Sequence, residues 1–394
     1  MPRTELPREY APVPNILELR ASEYLKPRAP STSAVARELS EREAGAIRRL
    51  AVWSTAWAAG AGVISGAIIG GLEIFVRQEL IGAEAQGEWL AHLPEWAGFF
   101  AVAAIVSVVE IAFLYWNALH TVGQMSRHAH VGLSGGGYRE LVARGLARAA
   151  LEFPNPDTHV FGIDPYAYVS KWRLTAKNLL YKTKVGVSSF LLRVTLRRVI
   201  GRMTVRGLIP LLAAPLYAAW NAIITWRLLR AVRLRIFAPA VIEERVRHMQ
   251  AAREHLTRET VRVTLGGVGE LLKRARDAHP SYVFLLGRLI DVLEPGDEVL
   301  DVDWAASKTH LRNLAEAERD LVLDVLVVAA LLAGKVRRAQ IELLEEAHDH
   351  AGLTLRTEAL RPLRRRLLRG QRIARGDLRA SRKTPQIRAR GRPS

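Results

Sequence analysis

The chain has no cysteine. Disulfides, thiolate metal sites and thiol nucleophiles are therefore excluded together. Strand-like alternation is scarce, with Glu298 to Asp303 as the one short candidate, and no repeat of fixed period is present. Acidic residues are missing from 165 to 242, and aromatic residues are missing from 361 to 394. Met1 to Gly45 lacks the apolar stretch of a secretory signal and has six prolines, so a loosely ordered cytoplasmic arm is expected over 1–45. No set of side chains has the spacing of a catalytic constellation. Gly132 to Gly136 has Ser134 at nucleophile-elbow spacing, but no strand precedes it.

What the sequence has is long apolar runs. Leu50 to Leu72 is uncharged, and Ala97 to Asn117 carries Glu110 as its only charge. A helix of about 20 apolar residues crosses a hydrocarbon core of roughly 30 Å. Spans are expected over about 50–76 and 97–117, forming a transmembrane hairpin within 46–120. Gly62, Gly66 and Gly70 recur four apart, which gives a small-residue face for close helix packing, with the second span as the nearest partner. Glu110 is an intramembrane carboxylate, expected to be hydrogen-bonded to a neighbouring helix or to the basic segment downstream. Glu73 is matched with Arg77 one turn on. Arg42, Arg48, Arg49, Arg127, Arg139, Arg144 and Arg148 flank the hairpin, while acids dominate its connecting loop. The positive-inside rule then places both termini in the cytoplasm.

Within 121–242, a basic helical region, Gly207 to Trp226 forms a third uncharged run. Arg193, Arg197, Arg198, Arg202 and Arg206 precede it and Arg227, Arg230, Arg233 and Arg235 follow it. Cations on both sides, with Pro210 and Pro215 inside, argue against a simple crossing. The segment is expected to lie along the cytoplasmic leaflet or pack on the hairpin, with these arginines contacting anionic headgroups. A third crossing stays open.

From 243 to 360 the texture is that of ordinary helical protein. Leu321, Val325, Val328 and Leu332 recur at three and four, and Ile341, Leu344 and Ala347 continue after a break at Gly334. The fold class is therefore all-α: a transmembrane hairpin, a membrane-associated basic segment and a cytoplasmic helical domain. The pairs His128/His130 and His348/His350 point apart on a helix and read as surface histidines, and the acids between Glu294 and Asp303 lack the order of a calcium loop. No metal site and no cofactor is expected. The remainder, 361–394, has 13 basic residues against one acidic and reads as a disordered basic tail.

The stretch LVLDVLVVAALLAGKVRRAQIELLEEAHDHAGL, residues 321–353, resembles the repeat unit of TerB-type domains of the tellurite-resistance group, with the similarity running over about 290–353. The resemblance implies a helical scaffold. Gly334 stands where that family has its glycine, but Ala333 and Gln340 replace its aspartate and glutamate, so the acidic metal site of some relatives is not carried over. The whole chain, with its glycine-rich hairpin and the segment PNPDTHVFGIDPYAYVSKW, also resembles a family of bacterial membrane proteins.

These readings lead to a non-enzymatic protein of the bacterial inner membrane that anchors a cytoplasmic interaction domain, with a role in envelope or stress response. Its expected partners are membrane lipids with anionic headgroups, together with a second copy or another protein. Two alternatives stay open. One is a subunit of an oligomeric transporter or channel, and the other is a membrane-tethered nucleic-acid binder using the tail, which ranks below lipid because the tail has no aromatic ring for base stacking.

Overall fold

Asn15 accepts the Leu17 amide and so caps the short helix α1 (Ile16–Leu25). The next helix, α2 (Glu41–Phe75), opens on a capping box in which Ser40 and Glu43 satisfy each other's backbone amides. It runs on for 35 residues because nothing in its apolar stretch breaks the ladder, and ends in a π turn, Val76–Ile81. Two further helices follow, α3 (Leu93–His128) and α4 (Tyr138–Ala150). The spine of the molecule is α5 (Ile209–Ala252), 44 residues long. Beyond it come α6 (Arg258–Ala275), α7 (Pro280–Leu293), the single turn α8 (Trp304–Ser307), α9 (Glu316–Leu332), α10 (Arg338–His350), α11 (Thr357–Leu368) and the short α12 (Arg375–Arg379). This computed structural model describes residues 15–30, 39–81, 93–133, 137–153, 155, 159–170, 172, 209–295, 303–332 and 336–383.

The described residues are almost entirely helical. Their one sheet is a two-residue antiparallel pair, β1 (Thr354–Leu355) with β2 (Arg382–Lys383). It does not lie at Glu298 to Asp303, most of which falls outside the described residues. Two helices, α2 and the Trp96–His128 part of α3, are long and apolar enough to cross a membrane.

The lower half of the molecule shares one core. Leu25 of α1, Ile47 of α2, Met125 of α3, Leu146 of α4, Leu229 and Ile242 of α5 and Leu331 of α9 all belong to it. Every residue from Leu321 to Leu332 is buried, which makes α9 the central helix. The sequence boundary at 242/243 therefore marks no break. Charge texture changes there, but α5 runs through without interruption, and Pro239 sits inside it.

Two expectations of disorder are corrected. Part of the arm is folded, because α1 buries Ala21 and Leu25 and its Glu18 pairs with Arg148 of α4 at 2.6 Å. The basic tail is folded as far as residue 383. Leu360, Leu363 and Leu367 form one buried stripe of α11, and Ile373 and Leu378 are buried beyond it. Charge alone gave the wrong reading, because the tail's cations meet acids on other helices. Arg382 pairs with Asp320 at 2.6 Å and with the buried Asp324, while Arg375 lies 3.6 Å from Asp324. From α5, the buried Arg245 donates to the Ile373 carbonyl at 3.0 Å. Burial raises the Asp324 carboxyl pKa, against the pull of Arg382, Arg245 and Arg375.

His348 is a third correction: it is fully buried, not a surface residue. Its Nδ1 lies 2.6 Å from the Leu344 carbonyl. At the other pair, His128 is exposed and His130 lies 2.8 Å from Glu43.

Candidate functional site: a three-helix seam and the arginines below it

The glycine face of α2 meets α5, not α3. A Cβ on Gly62 would lie 2.7 Å from backbone atoms of Tyr217 and Ala218, and one on Gly66 would lie 2.6 Å from the Ala214 Cα. Only a hydrogen at those positions lets the two backbones approach this closely. Gly70, one turn further, is also buried. Moving forward along α2 means moving back along α5, so the two helices are antiparallel. The expectation that α3 would be the partner fails because the complementary small residues, Ala214 and Ala218, come from a helix far downstream.

Two asparagine amides bridge the helices of this seam. Asn221 of α5 donates from Nδ2 to Glu110 Oε1 at 2.7 Å, and both side chains are buried. Asn117 of α3 donates to the Ser54 carbonyl of α2 at 2.9 Å. The two asparagines were not singled out from sequence, although an amide on an otherwise apolar helix is the same kind of signal as Glu110. Glu73 is buried too, and the Arg77 side chain lies outside the described residues.

The outer surfaces of the same helices are apolar. Val63 and Ile64 of α2, Ile105, Val108 and Val109 of α3 and Ile223 of α5 are all exposed. The apolar window of α3 has a mean hydropathy of 2.3 and only 11% of it is buried. A core helix of a water-soluble protein has the opposite distribution.

The register sets two aromatic levels. Ser54 is eight residues before Gly62, and Trp226 is eight residues after Ala218, so both lie the same distance, roughly 12 Å, from the Gly62–Ala218 contact. The Asn117–Ser54 bond brings Trp116 to that level as well. Trp53, Trp116 and Trp226 thus share one plane and are all exposed. At the other end Trp96 packs on Phe99 edge to face at 5.6 Å, beside Ile69 and Val76. Trp96 and Trp116 are 20 residues apart on one helix, which separates the two levels by roughly 30 Å.

Immediately below the Trp226 level, α5 turns basic. Arg227 and Arg230 are exposed, and the Arg233 guanidinium lies 5.2 Å from the Trp226 ring. Arg364 of α11 joins them. Burial lowers the pKa of Arg233 and of Arg364, and the charge of Arg230 lowers both further. The buried Nε atoms of Arg233 and Arg364 have no hydrogen-bond partner. Arg233 stands among the cations that follow the third apolar run in the sequence, whereas Arg364 was not anticipated from it. Arg193, Arg197, Arg198, Arg202 and Arg206 lie outside the described residues.

Elsewhere several polar side chains have structural partners, although buried Nε atoms of Arg235, Arg245, Arg319, Arg375 and Arg382 also lack a hydrogen-bond acceptor among the described residues. Asn155, from the PNPDTHVFGIDPYAYVSKW segment, accepts from Arg235 at 3.3 Å and donates to Asp277 at 2.8 Å. Burial lowers the Arg235 guanidinium to about 10 against the pull of Asp277. Tyr168 of the same segment donates to Glu270 of α6 at 3.1 Å. In the TerB-like stretch, Gln340 is buried and donates to the Tyr282 hydroxyl at 2.8 Å, whereas Ala333 and Gly334 lie outside the described residues. Glu294 pairs with Arg253 at 2.5 Å and Asp303 caps α8. Among the described residues no group of three or more His, Asp or Glu side chains could hold a metal ion. Ser134 lies outside the described residues.

No protein-family profile, curated protein or solved structure matches this chain.

Proposed function

We propose that this chain is an integral membrane protein in which α2, α3 and the apolar half of α5 lie in the bilayer and carry a helical domain on the side where both termini lie. The observation that carries this reading is the spacing of the two aromatic levels, roughly 30 Å, which equals the thickness of a hydrocarbon core, with exposed aliphatic side chains between them. The third apolar segment, on this reading, packs on the hairpin. Its prolines are tolerated there because neighbouring helices satisfy the freed backbone groups.

The domain acts as a non-enzymatic scaffold. Its core is filled by aliphatic side chains of α9, and Gln340, at the place where TerB relatives carry a glutamate, is engaged with Tyr282. The placement we favour is the inner membrane of a bacterium with the domain in the cytoplasm, supported by the arginines that crowd the Trp226 end of the bundle. A transporter role for Glu110 is less well supported, since its carboxylate is held by Asn221 inside a seam that Gly62 and Gly66 close.

Fractionation of cells expressing the chain tests the proposal. The protein should stay in the membrane pellet through an alkaline carbonate wash and dissolve in mild detergent. Release into the carbonate supernatant would refute it.

A further inference from the structure

Trp220, Ile223, Trp226, Arg230 and Arg233 follow one another along α5 at steps of three, three, four and three residues, so they form a single stripe on one helix face. The first three are exposed apolar side chains. The last two are cationic, and the change from one kind to the other takes place over about 6 Å of helix. Arg364 enters the same cluster from α11, which packs against α5.

Three guanidinium groups gathered without an acid repel one another, and the fold brings them together all the same. Among the described residues none of Arg230, Arg233 and Arg364 has an ion-pair partner, whereas Arg245, Arg274, Arg288 and Arg382 each do. The burial that leaves two of the Nε atoms without partners also rules out full hydration of those donors. An anion seated there would remove the repulsion and accept those donors. The indole of Trp226 directly above belongs with an amphipathic ligand whose anionic end is continuous with an apolar body.

We infer that Arg230, Arg233 and Arg364, under Trp226, form a binding site for the phosphodiester headgroup of an anionic phospholipid, with the acyl chains lying along the Trp220–Ile223 stripe. This rests on the membrane reading above and adds a specific site to it. It also gives the C-terminal segment a role, since Arg364 reaches the site only because α11 is docked.

The test uses the full chain purified in mild detergent. Dioleoylphosphatidylglycerol and dioleoylphosphatidylcholine are titrated separately and the thermal midpoint is followed, since a ligand that binds only the folded state raises it. Further arms contain inorganic phosphate and a single-stranded oligonucleotide. The phosphatidylglycerol should stabilise the protein and the phosphatidylcholine should not. Replacing all three arginines (R230Q/R233Q/R364Q) should weaken the apparent affinity at least tenfold. A control losing the same charge elsewhere, R253Q/R262Q/R338Q, should bind as the wild type does. If the triple variant does not fold, R230Q alone, at an exposed position, should still lower the affinity several-fold.

Equal phosphatidylglycerol binding by the variants and the wild type would overturn the site, as would equal loss in the control. Stabilisation by inorganic phosphate matching that by lipid would show an anion site with no lipid specificity, and tighter binding of the oligonucleotide would show a nucleic-acid surface; either contradicts the inference. Failure of the membrane reading looks different, because the protein would then be soluble without detergent.

Discussion

Gly66 on α2 lies so close to α5 that a Cβ built on it would stand 2.6 Å from the Ala214 Cα. Two backbones in such contact cannot admit a side chain without separating. Replacing Gly66 by Leu should therefore cost more than the roughly 1–3 kcal/mol typical of overpacking and sharply lower the yield of folded, detergent-extractable protein. Ala67 is exposed, and Ala67→Leu should leave the yield unchanged. Gel filtration of both variants checks this. Equal yields would mean that α2 and α5 are not in backbone contact.

The Asn221–Glu110 bond predicts a non-additive pair. Asn221→Leu removes the donor and leaves a buried carboxylate short of a partner, a loss of about 1–3 kcal/mol. Adding Glu110→Leu removes that carboxylate as well, so the double variant should be more stable than Asn221→Leu alone. Thermal unfolding in detergent would measure this. Additive losses would contradict a direct bond.

Truncation after Gly370 takes away Arg375 and Arg382 and leaves Asp324 buried with Arg245 as its remaining cation. Breaking a buried ionic cluster by removing one side typically costs about 3–5 kcal/mol. The truncated protein should melt well below the full chain by circular dichroism. An unchanged midpoint would mean that the segment is not docked in solution.

Acid should destabilise the domain through His348. Burial is the largest cause of the lowering of its pKa to about 4, and the nearby Arg382 charge adds to it. The unfolded chain therefore takes up this proton first as the pH falls from about 6.5, and stability is lost between there and about pH 4. The full effect of one such group is on the order of 3 kcal/mol. His348→Met should flatten that part of the stability–pH profile, read from denaturant midpoints. The same slope in both proteins would assign the acid loss to other groups.

The parts of this architecture that depend on local pattern were legible in the sequence. The apolar runs from Leu50 and from Ala97 specify helices by length and composition. The recurrence at Leu321, Val325, Val328 and Leu332 specifies a buried helix. What escaped reading depends on which distant segments meet. The spacing of Gly62 and Gly66 announces a close neighbour but not its identity, and proximity in sequence pointed to α3 when Ala214 and Ala218 of α5 were the match. Pro215 argued against a continuous helix, yet α5 passes through it. By its charge the C-terminal segment reads as disordered, but Leu360, Leu363 and Leu367 form an apolar stripe that a boundary at Arg361 cuts in two. Arg364 meets Arg230 and Arg233 only because α11 packs on α5, which no local pattern reveals.

Single-cysteine accessibility tests the central claim most directly, because the natural chain has no cysteine to interfere. Three variants suffice: Gln86→Cys in the connection between α2 and α3, His128→Cys at the end of α3, and His255→Cys just past α5. In intact cells a membrane-impermeant maleimide should label the first and spare the other two, both of which should react once the membrane is opened. Labelling of His128→Cys or His255→Cys from outside, or protection of Gln86→Cys until the cells are opened, would contradict a bundle that spans the membrane with its helical domain inside.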